Sequence, residues 1–326
     1  MKYVLQKVGL FVLTLWAAIT LNFFLPRLMP GSPADAAIAK LAQNGPVSDA
    51  TRAAIEAQLG VPTGSIWEQY VTYLGQVARL DFGVSYTFYP QSVSSMVSTA
   101  LPYTIGLVGI VTILAFVIGT LIGVMAAWRR GTWLDSLPTL TGSFLSTFPY
   151  FWTALLLLFF LGYVLHWFPT TGAYSATTTP GFTLEFIGDL ARHAVLPALT
   201  LGLLTAGIFL RLVRANMIGT LGSEYVDAAR SRGVREARLV RTHAFRPALV
   251  PIITVMGLQI AMLLGGSVLT ETTFGWRGLG FELNQYLSAR DFVAVQGIVA
   301  MLAVIVAVTN FVVDVVAALI DPRVRF

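Results

Sequence analysis

The sequence predicts an all-α polytopic membrane protein with six transmembrane helices. Of its 326 residues, 56% are hydrophobic and only 11% are charged, whereas soluble domains carry about 25% charged residues. The apolar residues are also clustered, because residues 101–128 and 136–184 contain no Asp, Glu, Lys or Arg. About 20 such residues are enough for a helix to cross the ~30 Å hydrocarbon layer. A soluble globular enzyme is therefore excluded.

Six apolar segments are long enough to form these spans. They lie at residues 8–25, 103–128, 137–165, 194–210, 250–270 and 292–320. Lys2 and Lys7 before the first segment are also typical of a secretory signal, but the small residues of a cleavage site follow only after three prolines. An uncleaved first span is the better interpretation. The third segment contains Pro149 and allows either one tilted helix or a tight helical hairpin.

The distribution of positive charge favours one helix in the third segment and sets the orientation. With six spans, fourteen of the 21 Lys and Arg residues share one side of the membrane with five acids, and the other seven share the opposite side with ten acids. Cytoplasmic loops carry the excess of Lys and Arg. Both termini are therefore predicted to be cytoplasmic, and the basic charge requires no nucleic acid as a partner.

The whole chain, residues 1–326, is predicted to form a single membrane domain with two long loops. Residues 26–101 form an extracytoplasmic insertion after the first span, with amphipathic patterns for short helices at about 49–59 and 66–80. Residues 211–250 form a cytoplasmic loop between the fourth and fifth spans. The chain has no cysteine and its three histidines are scattered, so neither disulfides nor a metal site are expected.

The cytoplasmic loop is patterned as two short helices separated by a glycine. Gly222 or Ser223 can cap the first helix, acids follow in its opening turns where the helix dipole favours them, and Gly233 suits the left-handed residue that ends it. A second helix is predicted from about residue 235 to 245. Two prolines, Pro247 and Pro251, should close it before the fifth span.

One face of the first loop helix is suited to contact with another protein. Tyr225, Val226 and Ala229 are predicted to share this face, and the small side chain of Ala228 beside them leaves the backbone open to close approach. Such a helix can sit in a groove on a cytoplasmic partner and transmit rigid-body movement to the neighbouring spans. The alternative is a solvated surface helix whose charges only fix the topology.

The residues of this helix, taken together, resemble a known motif. They form the run Glu224-Tyr225-Val226-Asp227-Ala228-Ala229-Arg230-Ser231-Arg232-Gly233. Two alanines followed after three residues by a glycine resemble the "EAA" coupling loop of ABC-importer inner-membrane permeases, and the wider run resembles their peptide/opine/nickel branch. Asp227 stands where the general motif has Glu, and His243-Ala244-Phe245-Arg246 replaces its usual ending. Both departures are ordinary for this branch.

Further runs resemble the same branch, in order along nearly the whole chain. They are Leu28-Met29-Pro30-Gly31-Ser32-Pro33, Leu80-Asp81-Phe82-Gly83, Arg129-Arg130-Gly131-Thr132-Trp133-Leu134-Asp135, Leu196-Pro197-Ala198-Leu199-Thr200-Leu201-Gly202, Glu271-Thr272-Thr273-Phe274-Gly275-Trp276-Arg277-Gly278-Leu279-Gly280 and Asp321-Pro322-Arg323-Val324-Arg325. The resemblance implies the fold of an ABC type I importer permease, with a cytoplasmic coupling helix between helices 4 and 5.

The resemblance also implies a function and a set of partners. The chain would be the permease subunit, and not an enzyme, of an ATP-driven, binding-protein-dependent importer in a bacterial or archaeal cytoplasmic membrane. Its partners would be a homologous second permease, two ABC ATPase subunits and an extracytoplasmic solute-binding protein. It would bind no cofactor, since ATP and Mg²⁺ would be used by the ATPase subunits. The sequence agrees, because none of its three lysines follows a glycine and no Gly-Lys-Ser/Thr phosphate loop exists.

The cargo stays open between several chemical classes. Di- and oligopeptides are the first expectation from the resemblance, and the same branch includes importers of oligosaccharides, opines and nickel chelates. An autonomous secondary transporter is a further alternative, but it has no support from matching half-sequences. Cargo identity is expected to reside mostly in the binding protein.

The expected sites fall into three groups. The resemblance implies that a first group docks on the ATPase: Glu224, Tyr225, Asp227, Ala228, Ala229 and Gly233. Polar residues within spans are candidates for the translocation path, because lipid penalises them: Asn22, Ser143, Thr147, Gln259, Ser267, Gln296 and Asn310. Asp314 is the only acid within a predicted span, and an ion pair with Arg211, at a similar depth in another span, would satisfy it.

Overall fold

The computed structural model describes residues 2–28, 48, 64–85 and 87–320. In this part of the chain the regular structure is helical apart from one isolated β-bridge, between Val84 and Ser92. The helix predicted at 49–59, most of the run 28–33 and the tail 321–325 lie outside the described residues. The helix predicted at 66–80 is confirmed, and Ser65 and Glu68 form a capping box at its start.

Ten helices are numbered in chain order along the described residues. They are α1 (Lys2–Leu28), α2 (Ile66–Ala78), α3 (Val93–Trp128), α4 (Trp133–Leu145), α5 (Tyr150–Leu157), α6 (Leu184–Leu221), α7 (Glu224–Ser231), α8 (Phe245–Phe274), α9 (Leu279–Ala289) and α10 (Phe292–Ile320). A π-helical segment, Leu158–Val164, continues α5. A single turn, Glu236–Arg238, and a second π-helical segment, Leu239–Ala244, lead into α8.

Five of these helices are long and apolar enough to cross a membrane, and a bent pair forms a sixth candidate span. The pair consists of α4 and of α5 with its π-helical segment, and the two parts meet at 101°. The bend falls at Pro149, which precedes α5 and has no N–H to continue a helical ladder. The third apolar segment is therefore a broken helix.

The helices extend well beyond the apolar segments that the sequence marks. The helix α6 begins at Leu184, where the hydroxyl of Thr183 accepts a hydrogen bond from Phe186 N, and it ends at Leu221. On its outer side the carboxylate of Asp189 accepts hydrogen bonds from the backbone N–H and the hydroxyl of Ser175. Hydropathy locates only the part of a helix that contacts hydrocarbon, so it misses such polar extensions.

The prediction that two prolines end a helix before the fifth span is wrong. The helix α8 begins at Phe245 and continues through Pro251 to Phe274. Pro247 lies in its first turn, where a backbone N–H has no partner within the helix in any case. The segment after α7 therefore enters the fifth span without a break.

The described residues fall into two compact units. One contains residues 104–277 and 309–320, and its largest apolar cluster includes Phe209, Val213 and Met217 of α6. The other contains residues 2–103 and 278–308 and is built around a cluster that includes Val93 and Ile298.

Glycines bring the helices of the first unit into backbone contact. A Cβ atom on Gly119 of α3 would lie 2.7 Å from Ala206 O of α6, and one on Gly123 would lie 2.7 Å from Leu210 O. Where α4 crosses α6, a Cβ atom on Gly207 would lie 2.8 Å from Gly142 O. The spacing Gly119-x-x-x-Gly123 thus serves helix packing.

Replacement of Gly119 by alanine should destabilise the protein. The added methyl group must displace the α6 backbone, and overpacking of this kind costs about 1–3 kcal/mol. Gly109→Ala is the matched control, because it lies in the same helix with no atom within 4 Å of its Cβ position and gains helix propensity. The thermal midpoint of the purified protein in detergent measures both, and equal midpoints for the two variants would contradict the packing role.

Candidate functional site

The helix α7 ends as its sequence predicts. Ser223 occupies the N-cap position with extended backbone angles, and Glu224 and Asp227 lie in the first turn. Gly233 has a φ of +76°, its N–H donates to Arg230 O and the N–H of Val234 donates to Ala229 O. Left-handed backbone of this kind is unfavourable for residues with a Cβ atom.

The exposed face of α7 differs from the predicted face, because only Tyr225 of the three predicted residues is exposed. Val226 is fully buried, whereas Tyr225 is 49% exposed. Val226 is buried because α7 packs against α6 and the π-helical segment Leu239–Ala244. Glu224, Tyr225, Asp227 and Ala228 are exposed in the first part of the helix, as are Arg230 and Ser231 near its end. We call the first four the α7 surface. Ala229 is half-buried at its edge.

Polar contacts fix α7 to the segments around it. The hydroxyl of Tyr225 donates to His243 O over 3.3 Å. Arg230 donates to Asp227 at 2.6 Å and to Glu236 at 2.8 Å, so it bridges the glycine turn. These acids, Glu236 first, raise the pKa of Arg230 above its usual value. The ion pairs of Arg230 with Asp227 and Glu236 are exposed and add little stability. They do connect α7 to the segment that follows the glycine turn.

The α7 surface is attached directly to the longest helix of the chain. Only Gly222 and Ser223 separate α6 from α7, and the hydroxyl of Ser223 donates to Thr220 O. One turn apart on α6 lie Arg211 and Arg214, and both reach α4. Any displacement of α7 is therefore applied to a helix that is itself bound to a neighbour.

An ion pair joins α6 to the start of α4. Arg214 donates through Nε to Asp135 Oδ1 and through Nη2 to Oδ2, the latter over 2.9 Å. The N–H of Gly131 also donates to Asp135, whose side chain is only 6% exposed. Sequence analysis missed this pair because its members are 79 residues apart. The one signal was an acid in the first turn of an apolar helix, on the side of the membrane that is rich in arginine.

A second arginine contact lies at the other end of α4. Arg211 Nη1 donates to Gly142 O over 2.8 Å and to the hydroxyl of Ser146 over 2.7 Å. Asp314, the predicted partner of Arg211, lies half-buried in α10. The ion pair of Asp314 with Arg211 stays a prediction.

Two of the predicted path residues bind each other within the second unit. The side chain of Asn22 donates to Gln296 O over 2.8 Å, and the side chain of Gln296 donates to Asn22 O over 3.0 Å. Asn22 also donates to the hydroxyl of Tyr73. This reciprocal pair ties α1 to α10 and satisfies both amides.

The other predicted path residues lie in the first unit. Gln259 and Ser267 are buried in α8, and Ser267 donates back to Leu264 O of its own helix. The amide oxygen of Gln259 accepts no hydrogen bond. Ser143 and Thr147 are exposed beside the bend after α4, and Asn310 is exposed on α10. The carbonyl oxygen of Ser143 accepts a hydrogen bond from the hydroxyl of Thr147, so the hydroxyl of Thr147 already has a backbone partner.

A buried acid that sequence analysis placed outside the spans belongs to α8. Glu271 is fully buried, and Thr104 of α3 donates to its carboxylate over 2.9 Å. The apolar segment ends at residue 270, so the acid fell one position beyond it. Asp314 is thus not the only carboxylate within a membrane-crossing helix. Among the described residues no cluster of His, Asp and Glu could hold a metal ion.

Comparison with solved structures identifies the fold. The chain is similar to a chain of the MetNI methionine ABC transporter in inward-facing conformations, with a TM-score of 0.55 at 16% sequence identity. The match covers 69% of this chain and 96% of that chain. The fold is that of an ABC type I importer permease, in agreement with the sequence prediction.

Comparison with families and curated proteins identifies the relatives. The family model described as "Binding-protein-dependent transport system inner membrane component" matches residues 119–326. The di/tripeptide transport system permease protein DppB of Pseudomonas aeruginosa is 34% identical over 100% of this chain and 99% of its own length. The dipeptide transport system permease protein DppB of Escherichia coli is 31% identical with the same coverage. The chain therefore belongs to the family of binding-protein-dependent transport system inner membrane components and is a multi-pass membrane protein.

Proposed function

We propose that the chain is one of two permease subunits of an ATP-driven importer and forms half of the path for di- and oligopeptides. The names of the relatives from Pseudomonas aeruginosa and Escherichia coli, which are di/tripeptide and dipeptide permeases, support peptides as the cargo. Coverage of both proteins along almost their full length supports a common architecture. The proposal assigns no covalent chemistry to this chain.

The observation that carries the proposal is the α7 surface. It is short, exposed and held rigidly by Val226, Tyr225 and Arg230. Ala228 permits close approach of another backbone, and the phenol of Tyr225 offers apolar area beside two acids. A helix of this shape fits a groove on an ATPase subunit, and Gly233 sets the angle at which it is presented.

Movement of the α7 surface supplies the mechanical step. When two ATPase subunits close on ATP and Mg²⁺, each carries the bound helix with it, and α6 transmits that displacement into the membrane. Within the membrane, the spans then change between inward-open and outward-open arrangements. ATP hydrolysis takes place on the ATPase subunits, since this chain has no phosphate loop.

The complete machine contains four kinds of chain around the membrane. A homologous permease completes the path, two ATPase subunits bind on the cytoplasmic side, and a solute-binding protein delivers cargo from outside. The excess of arginine around α7 supports placing α7 and both termini in the cytoplasm. Lipid contacts the exposed apolar side chains of the spans, such as Leu121 and Leu140.

Polar side chains of the spans are proposed to line the path to different degrees. Gln259 is the strongest member of the set, because its buried amide oxygen accepts no hydrogen bond and is available to a passing peptide N–H. Ser143, Thr147, Ser267 and Asn310 are secondary members. Asn22 and Gln296 use their amides on each other, so their first role is to join helices.

The function is tested by crosslinking from the α7 surface. The chain has no cysteine, so Ala228→Cys introduces a single reactive position. A crosslinker applied to the assembled complex should join this residue to an ATPase subunit. The control is Thr178→Cys in the outer loop, which should give no such product. Absence of any ATPase product from Ala228→Cys, or labelling of this residue from outside the cell, would overturn the proposal.

Replacement of Gly233 by valine should uncouple ATP hydrolysis from uptake. A β-branched residue is strained at a φ of +76° by about 1–2 kcal/mol, and relief of that strain re-aims α7. Uptake per ATP hydrolysed should fall by about tenfold, while membrane insertion is unchanged. Gly233→Asn should keep most of the coupling, because asparagine tolerates left-handed backbone.

Gly219→Val is the matched control for the glycine turn. Gly219 lies near the cytoplasmic end of α6 with open space around its Cβ position and without a positive φ, so its replacement should leave coupling intact. Proteoliposomes that contain the whole complex give uptake and ATP hydrolysis together. Normal coupling in Gly233→Val, or equal losses in Gly233→Val and Gly219→Val, would count against the role of the turn.

The cargo class is tested on the solute-binding protein encoded with this permease. Dipeptides and longer peptides should stabilise it against thermal unfolding, by ~2.7 kcal/mol when the ligand is at 100 times its dissociation constant. Oligosaccharides, opines and nickel chelates serve as the comparison panel. Stabilisation by one of these classes and not by peptides would reassign the cargo while leaving the importer mechanism in place.

A further inference from the structure

We propose that Arg211 and Arg214 clamp α4 to α6, so that movement of α7 reaches the bend between α4 and α5. The two arginines, with Asp135, would act as positioning residues for transport, since none of them needs to touch cargo or nucleotide. The proposal rests on the proposed function, because it requires a force applied at α7. It adds the route by which that force enters the broken span.

The two arginines hold α4 near both of its ends. They lie three residues apart on α6 and therefore on one face of that helix. Arg214 donates to the carboxylate of Asp135 in the first turn of α4. Arg211 donates to Gly142 O in the last turn and to the hydroxyl of Ser146, the C-cap residue. Asp135 and Gly142, the two contact points, are separated by about 10 Å along the axis of α4. Two contacts at this separation prevent α4 from pivoting on α6, which one contact would allow.

The backbones of α4 and α6 come into direct contact beside the Arg211 contact. Gly142 and Gly207 bring the two backbones together, with 2.8 Å between Gly142 O and the position of a Cβ on Gly207. No side chain separates the helices at this point, so the two backbones approach more closely than side-chain packing would allow. The glycine contact sets the distance between the helices and the arginines set their direction.

Arg211 acts at the bend itself. The helix α4 ends at Leu145, and the chain turns by 101° before α5 starts at Tyr150. The last carbonyl groups of a helix have no partner within it and carry partial negative charge. Gly142 O accepts the N–H of Ser146, the C-cap residue, and Arg211 adds a second, charged hydrogen bond to the same oxygen and holds the hydroxyl of Ser146. The bend is thereby fixed to α6 and cannot move independently of that helix.

The charged character of the contacts is what makes them directional. Asp135 is only 6% exposed, and a buried ion pair can often be replaced by apolar residues without loss of stability. Apolar packing between α4 and α6 would hold them together but would tolerate rotation. A bidentate guanidinium contact such as Arg214 with Asp135 fixes orientation as well as distance.

The first test compares two arginines of α6. In the complete complex in proteoliposomes, Arg211→Gln should keep the ATP hydrolysis that the loaded binding protein stimulates, while uptake per ATP falls by about tenfold, the effect of losing one charge-assisted hydrogen bond. Arg192→Gln is the control, because Arg192 is exposed near the outer end of the same helix. Normal coupling in Arg211→Gln, or equal losses in both variants, would overturn the proposal.

The second test replaces the ion pair by a reversible covalent bridge. Asp135→Cys and Arg214→Cys are combined in the cysteine-free chain and joined by a short bis-methanethiosulfonate linker. The bridged complex should couple ATP hydrolysis to uptake, and reduction of the same sample should remove the coupling. Because both states come from one folded preparation, a folding defect cannot produce the difference. Equal coupling before and after reduction, whether high or low, would overturn the clamp.

The unmodified complex separates failure of the clamp from failure of the proposed function. If it shows no uptake that depends on ATP hydrolysis, the proposed function is wrong and the clamp falls with it. If it couples normally and the bridged and reduced samples are alike, only the clamp is wrong. Coupling that is lost on reduction supports both.

Discussion

The structure depends on one constraint: within a bilayer, polar groups must find their partners inside the protein, because hydrocarbon offers none. The long helices satisfy their own backbones, and the exceptions are met one by one. Arg211 donates to the hydroxyl of Ser146 at the bend after α4, Asn22 and Gln296 bind each other's backbones, and Thr104 donates to the buried Glu271. Each exception is also a point where two helices are joined. The hydrogen bonds that satisfy polar groups in this protein therefore also fix the positions of its helices.

The same constraint explains why the α7 surface can be rigid although it lies outside the bilayer. Its helix is too short to be stable alone, so it depends on Val226 beneath it and on the contacts of Tyr225 and Arg230 around it. Those contacts lead back to α6, whose position is set by glycine crossings with α3 and α4. A partner that docks on the α7 surface, as proposed above, would therefore act on a helix pair and not on a loose loop.

Sequence reasoning succeeded where the signal is local. The apolar segments located the spans, and the capping pattern located α7 and the left-handed Gly233, because each depends on neighbouring residues only. It failed where the answer depends on distant parts of the chain. Nothing near Asp135 in the sequence identifies Arg214 as its partner. The exposure of Tyr225 and the burial of Val226 depend on the helices against which α7 packs. Pro247 misled because its effect depends on whether it falls in the first turn of a helix.

The length of α6 has a geometric consequence for the whole transport cycle. Its 38 residues make a rod of about 57 Å, almost twice the hydrocarbon thickness. Tilting such a rod about its centre shifts each tip by about 5 Å for every 10°. One tip carries α7, and Asp189 near the other holds the outer loop through Ser175. This one helix therefore links the α7 surface to the segment around Ser175, which lies at the opposite end of its length.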